Sequence, residues 1–323
     1  MSEDLCLLTP TWSGDRAHFE LMRASLERST LAATPHHVVV QTEDLELFRA
    51  FTGPAVRLVA TRDVLPGDVE SLRQRGRRWQ RRLGRGATRL MGSVARYTGR
   101  PRWVAHTGWH VQQITKLAVA AASEIDTVVA LDSDVVVTRH ARPDDFLHPE
   151  RIVCLEHWTP AAEVIGKVAK WNRQAHALFG QPFAADAAVD TYFDTPFVFH
   201  APTLRKMLSW LERRYGRPWW EVLLAQPPRR WSEFGSYRMF LRAFPPSQGV
   251  DWQTNRYGRY IFDASDPAMV RVRFEELLRD PDSHYVTIHS QSSGRQLWGA
   301  AGYAPLILSL LEDSRASPAS SDS

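Results

Sequence analysis

Alternating strands and helices dominate the first 60 residues of the sequence. Short apolar runs at LCLLTPTW, HHVVVQT and AVRLVAT have the length and composition of buried strands. Between them lie RAHFELMRASLERS, whose apolar residues recur at helical spacing, and the shorter EDLELFRAF. Strands that alternate with helices form a parallel sheet with helices on both faces. The sequence therefore predicts a doubly wound α/β fold with a mostly parallel sheet.

The same alternation continues in the rest of the chain. GWHVQQITKLAVAAASEI predicts a long helix, DTVVALDSD a fourth strand at the centre of the sheet, and VVVTR its continuation or a short strand beyond a bend. Later strands are predicted at RIVCLEH, TPFVFH and HYVTIHSQ, and later helices at APTLRKMLSWLERRYG, RWSEFGSYRMFLRAF and YAPLILSLLED. No repeat or linker divides the chain. We predict one domain over residues 1–312 and a disordered polar tail over 313–323.

The cysteines and the apolar runs predict where the protein resides. Cys6 and Cys154 lie in strand-like apolar runs, as buried thiols of a reducing compartment do. No run of about 18 apolar residues is present to span a membrane. The start MSEDLCLLTP is acidic and lacks the basic region of a signal peptide. We expect a cytoplasmic protein.

A block of arginines interrupts the alternation. Residues 73–102 contain eleven arginines, and no Asp or Glu occurs from Ser71 to Ser123. Apolar residues at helical spacing run through the block at Trp79, Leu83, Ala87, Leu90 and Val94. Such a basic amphipathic helix can lie on an anionic membrane, close over an anionic ligand, or stay solvated. We expect peripheral contact with the inner membrane face and no nucleic acid partner, because no RNA-binding motif accompanies the block.

Two carboxylates stand between apolar runs in VVALDSDVVVT. In an extended strand, Asp132 and Asp134 would point to the same side about 7 Å apart. A divalent cation would offset the repulsion between them, and Mg²⁺ and Mn²⁺ prefer oxygen ligands. Ligands of open α/β sheets also bind beyond the carboxyl ends of the strands. The alternative is a polar turn between two short strands.

The stretch VVALDSDVVVTRHARPDDF resembles the DxD segment of GT-A fold glycosyltransferases. GWHVQQITKL before it and WSEFGSYRMF after it are similar to one bacterial group of uncharacterised glycosyltransferase-like proteins, which share GW..QQ..KL, LD.D and SE(Y/F)..Y stretches. The resemblance covers residues 4 to 300, and it implies a single GT-A-like, Rossmann-like domain. It further implies sugar transfer from a nucleotide-diphospho-sugar donor of UDP or GDP type to a glycan or glycolipid acceptor, in bacterial surface polysaccharide synthesis.

The resemblance also implies the ligands of a Mn²⁺ or Mg²⁺ ion. Asp134 would bind the ion directly, and Asp132 would contact the ion or the ribose of the donor. Many enzymes of this class add a late histidine, and VTIHSQSSGRQLW places His289 after the last predicted strand. The lysine that usually closes this motif is absent, and Arg295 is the nearest cation. A hydrogen-bonded histidine at a strand end is the alternative.

Five further residues are candidates for contact with the nucleotide sugar. Thr9 ends the first predicted strand, and Asp44 follows the second, where it could also be an ordinary helix cap. Gln112, Gln113 and Lys116 lie on the helix before the acid pair. Because Gln112 and Lys116 are four residues apart, we expect them on one face, with Lys116 at the diphosphate or the sugar. A solvated helix face is the alternative.

Glu233 is the candidate catalytic residue. Ser232 is placed to cap a helix, which fixes Glu233 in its first turn. Transfer with inversion needs a carboxylate that takes the proton of the acceptor hydroxyl. A glutamate at a helix start is also a common partner of the helix dipole. Asp190 and Asp194 are weaker candidates for the acceptor site.

Two other functions fit parts of the sequence. A nucleotidyltransferase shares the sheet and the need for Mg²⁺, but it normally carries a glycine-rich phosphate loop, and TPTWSGDR has a single glycine. A non-catalytic protein of the same fold that binds nucleotides or carbohydrates would be marked by loss of the acid pair, which is present here.

Overall fold

The structure is a computed structural model and describes residues 4–97, 107–184, 188–227, 230–289 and 299–316. The strands are β1 (Leu5–Thr11), β2 (His36–Val40), β3 (Val56–Ala60), β4 (Thr127–Ala130), β5 (Val135–Val137), β6 (Ile152–Glu156), β7 (Trp158–Pro160), β8 (Ala188–Asp190), β9 (Phe197–His200), β10 (Val250–Thr254), β11 (Gly258–Ile261) and β12 (Tyr285–Ile288). The helices are α1 (Arg16–Leu26), α2 (Leu45–Phe48), α3 (Thr61–Val64), α4 (Val69–Tyr97), α5 (Thr107–Ala122), α6 (Gly166–Leu178), α7 (Ala201–Tyr215), α8 (Trp219–Leu224), α9 (Glu233–Ala243), α10 (Pro267–Leu278) and α11 (Gly299–Ala316).

A five-stranded sheet in the order β3-β2-β1-β4-β9 forms the centre of the molecule. The strands β1 to β4 are parallel and β9 is antiparallel at one edge. All seven residues of β1 are buried, which explains its continuous apolar run. Helix α5 packs against β1, α7 and α9, while α1 packs against α11. The predicted α/β fold, with a mostly parallel sheet flanked by helices in one domain, is confirmed.

The chain bends sharply where β4 ends. Strand β5 leaves the central sheet and pairs with β12, which pairs with β11. The backbone N–H of Val135 donates to the carbonyl of Asp132 at 3.2 Å, so residues 132–135 form a turn. The assumption of an extended strand through Asp132 and Asp134 is therefore wrong. Apolar runs on both sides of the pair belong to two sheets, and the polar residues lie where the chain passes from one to the other.

Helix α4 contains the predicted basic block up to Tyr97, and residues 98–102 of that block lie outside the described part. The helix is broken at Gly84, which has φ 78° and ψ 165°. Only glycine adopts such a positive φ without strain. The predicted apolar face is consequently not continuous: it turns at Gly84, between Leu83 and Leu90.

The helix ends follow the sequence in one case and depart from it in another. Helix α7 has Pro202 in its first turn and ends at Gly216, which is left-handed with φ 64°, as the sequence predicts. Helix α11 continues to Ala316. The first four residues of the predicted tail, 313–316, are therefore helical, and 317–323 lie outside the described residues. Among the described helices, none is long and apolar enough to span a membrane.

Candidate active site

The turn after β4 forms the floor of the candidate site. The backbone N–H of Asp132 donates to Oγ1 of Thr195 at 3.2 Å, and the carbonyl of Asp134 accepts from the backbone N–H of Ile288 at 2.9 Å. The side chain of Asp132 is 35% exposed. The turn is thus held between the segment before β9 and the end of β12, at the carboxyl end of β4 where ligands of such sheets bind.

Lys116 of α5 places a buried positive charge next to this turn. Its side chain is only 3% exposed, and Nζ lies 2.8 Å from Oδ1 of Asp132 and 3.2 Å from Oε1 of Glu233. The ammonium also lies 4.6 Å from the ring centroid of Phe234. Burial alone would lower the pKa of Lys116, but the two carboxylates raise it above its ordinary value. The lysine therefore stays protonated at any physiological pH.

Glu233 is the most enclosed acid of the site. It begins α9, where Ser232 caps the helix as predicted: Oγ of Ser232 accepts from the N–H of Phe234 at 3.2 Å and lies 3.1 Å from Oε2 of Glu233. The amide nitrogen of Gln113, in the orientation that satisfies both groups, donates to the Glu233 carboxylate. Burial raises the pKa of Glu233, and Lys116 opposes this. Glu233 is 1% exposed and meets Lys116, Gln113 and Ser232.

The face of α5 that meets the site differs from the prediction. Gln113 and Lys116 are buried and point toward Glu233, whereas Gln112 is exposed. The expected grouping of Gln112 with Lys116 is wrong, because α5 packs against β1, α7 and α9 and the face toward α9 carries residues three apart.

His289 and Asp194 lie within electrostatic range of Asp132. The ring of His289 stacks on Phe262 with centroids 4.7 Å apart and planes at 13°, and Nε2 of His289 is buried without a hydrogen-bond partner in the described structure. Burial lowers the pKa of His289, and Asp194 and Asp132 oppose this. Burial raises the pKa of Asp194, which His289 opposes and Asp132 increases. Asp132, Asp194 and His289 are therefore close enough to influence one another electrostatically.

The residues fit a divalent cation only in part. The buried, unpaired Nε2 of His289 is an atom that a metal would satisfy. However, no three His, Cys, Asp or Glu side chains of the described residues converge into a metal-binding group. Asp132 already has Lys116 as its counterion. A cation at this place would have to compete with the ammonium for the same oxygen.

Thr9 and Asp44, two nucleotide-site candidates, are turned into the protein. Thr9 is fully buried, and its Oγ1 lies 2.9 Å from Nε2 of His36. Asp44 is 5% exposed and accepts from the backbone N–H of Ser13 at 2.9 Å. The hydroxyl of Thr11, at the carboxyl end of β1, is buried without a hydrogen-bond partner among the described residues. Of the two threonines near the end of β1, Thr11 rather than Thr9 therefore has a hydroxyl without a hydrogen-bond partner in the described part of the chain.

Asp190 belongs to a separate ion cluster. Its Oδ2 lies 2.9 Å from Nε of Arg238 and 3.1 Å from Nη2 of Arg242, and its Oδ1 accepts from the N–H of His157 at 3.1 Å. Arg242 also bonds Glu156 at 2.7 Å. These partners give Asp190 a structural role in joining β8 to α9.

Comparisons with known proteins give one family and several similar structures. The model of the family described as "Family of unknown function (DUF6492)" matches residues 5–267. None of the curated protein sequences matches the chain.

Three solved structures similar to the chain are all of glycosyltransferases. The galactosyltransferase LgtC, in complex with donor and acceptor sugar analogs, is 12% identical, with 94% of this chain and 95% of that chain covered and a TM-score of 0.42. Mouse xyloside xylosyltransferase 1 is 12% identical, with 88% and 97% covered and a TM-score of 0.43. The glycosyltransferase GlyE of Streptococcus pneumoniae TIGR4 is 12% identical, with 98% and 66% covered and a TM-score of 0.41.

Proposed function

The chain belongs to DUF6492, a family of unknown function, and we propose that it is a glycosyltransferase that uses a nucleotide-diphospho-sugar donor of UDP or GDP type. The observation that carries the proposal is the buried ammonium of Lys116 between Asp132 and Glu233, at the carboxyl end of β4. Departure of a nucleoside diphosphate from the sugar places negative charge on oxygen, and a preorganised cation stabilises that charge. The resemblance of the DxD stretch to glycosyltransferases supports the same reading.

Lys116 would bind the phosphate oxygens of the donor. Its second carboxylate partner, Glu233, keeps the charge of Lys116 compensated when Asp132 turns to another group. Gln113 would hold Glu233 in place, and Gln112, which is exposed, would contact the donor only from the outer face of α5. Asp44 would act on the nucleotide indirectly, because it holds Ser13 just after β1. Thr9 instead bonds His36 at the amino end of β2, so it would contribute only through the packing of the two strands.

A divalent cation, Mn²⁺ or Mg²⁺, is part of the proposal, with Asp132, Asp134 and His289 as its ligands. When bound, the ion would supply charge neutralisation at the leaving diphosphate. The support in this chain is the turn after β4, which carries both acids, and the buried Nε2 of His289, which has no hydrogen-bond partner among the described residues.

Glu233 is the proposed catalytic base for the acceptor hydroxyl. Its burial raises its pKa, which suits a base that works near neutral pH. Since Glu233 is 1% exposed, it would reach the acceptor only when the side chain of Lys116 turns toward the donor. Asp194 would border the acceptor, a glycan or glycolipid of bacterial surface polysaccharide synthesis. The protein would act in the cytoplasm.

Release of the nucleoside diphosphate from sugar nucleotides tests the proposal. A panel of UDP-, GDP-, CDP- and dTDP-sugars is incubated with the protein in Mn²⁺, Mg²⁺ or EDTA, and the liberated diphosphate is measured. We expect slow hydrolysis of one donor that requires the metal and falls on the order of 100-fold in Asp132→Asn. The control is Asp63→Asn, an exposed aspartate whose ion-pair partner among the described residues is Arg62.

Two results would contradict the proposal. One is the absence of diphosphate release from every donor. The other is equal release by wild type and Asp132→Asn. Formation of a sugar nucleotide and pyrophosphate from a nucleoside triphosphate and a sugar phosphate would identify a nucleotidyltransferase instead.

A further inference from the structure

The beginning of helix α4 packs against the body of the protein. Val69 and Leu72 are buried, and Arg73 bonds both Glu43 and Glu70 at 2.6 and 2.7 Å. From Arg78 onward, every residue of the helix whose side chain is described is exposed, and these residues are 78–84, 86, 87 and 90. The described side chains of this part of the helix are therefore turned to the surroundings.

Large apolar side chains lie on this exposed part. Trp79 is 37% exposed and Leu83 is 48% exposed, and their spacing of four residues places them on one face. Leu90, beyond the break at Gly84, is 69% exposed. Apolar surface in water is unfavourable in proportion to its area, and clustered exposed apolar residues mark interaction sites. The face of Trp79 and Leu83 is thus a surface for a partner.

The charge around this face is uniformly positive. Arg75, Arg78 and Arg82 line, together with Trp79 and Leu83, an open cleft of about 780 Å³. No acidic residue occurs in the sequence from Ser71 to Ser123. Arg73 and Arg77 are held by Glu43, whereas Arg75, Arg78, Arg81 and Arg82 have no ion-pair partner within the described part of the chain. The partner must therefore offer negative charge beside apolar surface.

We propose that α4 docks the protein on an anionic phospholipid membrane surface. Trp79 and Leu83 would enter the boundary between headgroups and acyl chains, while Arg75, Arg78 and Arg82 would bind the lipid phosphates. A phospholipid surface is the partner that presents both features in one plane. The inference goes beyond the proposed sugar transfer and does not depend on it.

Other occupants fit this face less well. A second copy of the chain would bring two arginine-rich faces together at the cost of repulsion between like charges. A nucleic acid would satisfy the arginines but would not cover Trp79 and Leu83, which share one helix face rather than alternating with bases. Both remain distinguishable in the experiment.

Vesicle sedimentation without nucleotide or substrate tests the proposal. The full chain is mixed with vesicles of phosphatidylcholine alone or with phosphatidylglycerol added, at low and high salt. We expect the protein to sediment with the anionic vesicles at low salt and to remain in solution with neutral ones. The triple variant Arg75→Gln, Arg78→Gln, Arg82→Gln should weaken the partition on the order of 100-fold. Trp79→Gln with Leu83→Gln should weaken it at both salt concentrations.

Two controls keep the result specific. The variant Arg213→Gln, Arg214→Gln, Arg271→Gln removes three exposed arginines from α7 and α10 and should sediment like wild type. Thermal unfolding of each variant establishes that it is folded.

Several outcomes would overturn the proposal. They are equal sedimentation with neutral vesicles, a triple α4 variant that binds like wild type, and a control variant that loses binding as strongly. A protein that self-associates through α4 without binding vesicles would indicate a second copy. Binding to a DNA duplex that competes with vesicles, with no effect of the Trp79 and Leu83 changes, would indicate a general polyanion site.

Discussion

The ammonium of Lys116 lies 2.8 Å from Oδ1 of Asp132, in a position that is almost closed to solvent. The two residues are brought together by the packing of α5 under the turn after β4. Glu233 completes the arrangement from the other side. The group formed by these three residues therefore has one positive and two negative side chains. The ammonium is the counterion of both carboxylates.

Removal of the ammonium should destabilise the protein. In Lys116→Met, the buried carboxylate of Glu233 loses its counterion, and we expect a loss of about 3 kcal/mol in the free energy of unfolding. The double variant Lys116→Met, Glu233→Gln leaves no buried charge and should lose less than the sum of its single variants. Urea unfolding of the four proteins measures the coupling. Strict additivity would contradict the buried ion pair.

Acid should weaken the fold through His36. This buried histidine bonds Thr9 and Arg23, and burial together with Arg23 holds its pKa well below 6.5. Below pH 6.5 this histidine therefore binds a proton in the unfolded chain but not in the folded chain. As the pH is lowered, the free energy of unfolding decreases by up to about 1.4 kcal/mol per pH unit for this group.

The matched variant for this effect is His36→Gln, whose amide can keep both hydrogen bonds. Its free energy of unfolding should depend less on pH below 6.5 than that of wild type. An unchanged slope in urea unfolding at several pH values would assign the acid sensitivity to other groups.

Removing the cap of α9 and the cap of α10 distinguishes an effect on stability from an effect on turnover. Ser232→Ala removes the cap of α9, and Asp266→Ala removes the cap of α10, where Asp266 accepts from the N–H of Ala268 at 2.9 Å. Each should lose about 1 kcal/mol of stability. Only Ser232→Ala should also lower sugar-nucleotide turnover, because Ser232 contacts Glu233. Equal turnover in the two variants would show that Ser232 and its neighbour Glu233 take no part in the reaction.

His289 offers a test of the proposed metal ligands. His289→Phe keeps an aromatic ring stacked on Phe262 and removes Nε2, which has no hydrogen-bond partner among the described residues. Stability should change little, while the gain in nucleotide affinity that Mn²⁺ brings should fall at least about tenfold. Calorimetry with and without Mn²⁺ measures this gain. An unaltered gain would make His289 a packing residue of β12.

The sequence predicts the sheet better than it predicts the contacts between distant segments. Periodicity of apolar residues is local, so β1, α1, β2 and the capped start of α9 are found where expected. At Asp132 the sequence left two alternatives, an extended strand and a turn between two short strands, and the turn is correct because the apolar runs on its two sides enter two sheets.

The partners within the site depend on packing that has no local signal. The choice of Gln113 over Gln112 follows from which face of α5 meets α9, a contact between residues more than a hundred positions apart. The break of α4 at Gly84 was not predicted either, because the same spacing of apolar residues fits a continuous helix and a broken one. The ion cluster of Asp190 with Arg238 and Arg242 was not predicted, because it also joins segments that are distant in sequence.

Calorimetric titration of UDP, GDP, CDP and dTDP, each with and without Mn²⁺, is the most direct test of the central claim that this site holds a nucleoside diphosphate. The titrations are made on wild type, Lys116→Met and Asp134→Ala, each first shown to be folded. We predict that one nucleotide binds, that Mn²⁺ strengthens its binding, and that both variants lose it. Binding of no nucleotide, or equal binding by wild type and both variants, would contradict the account.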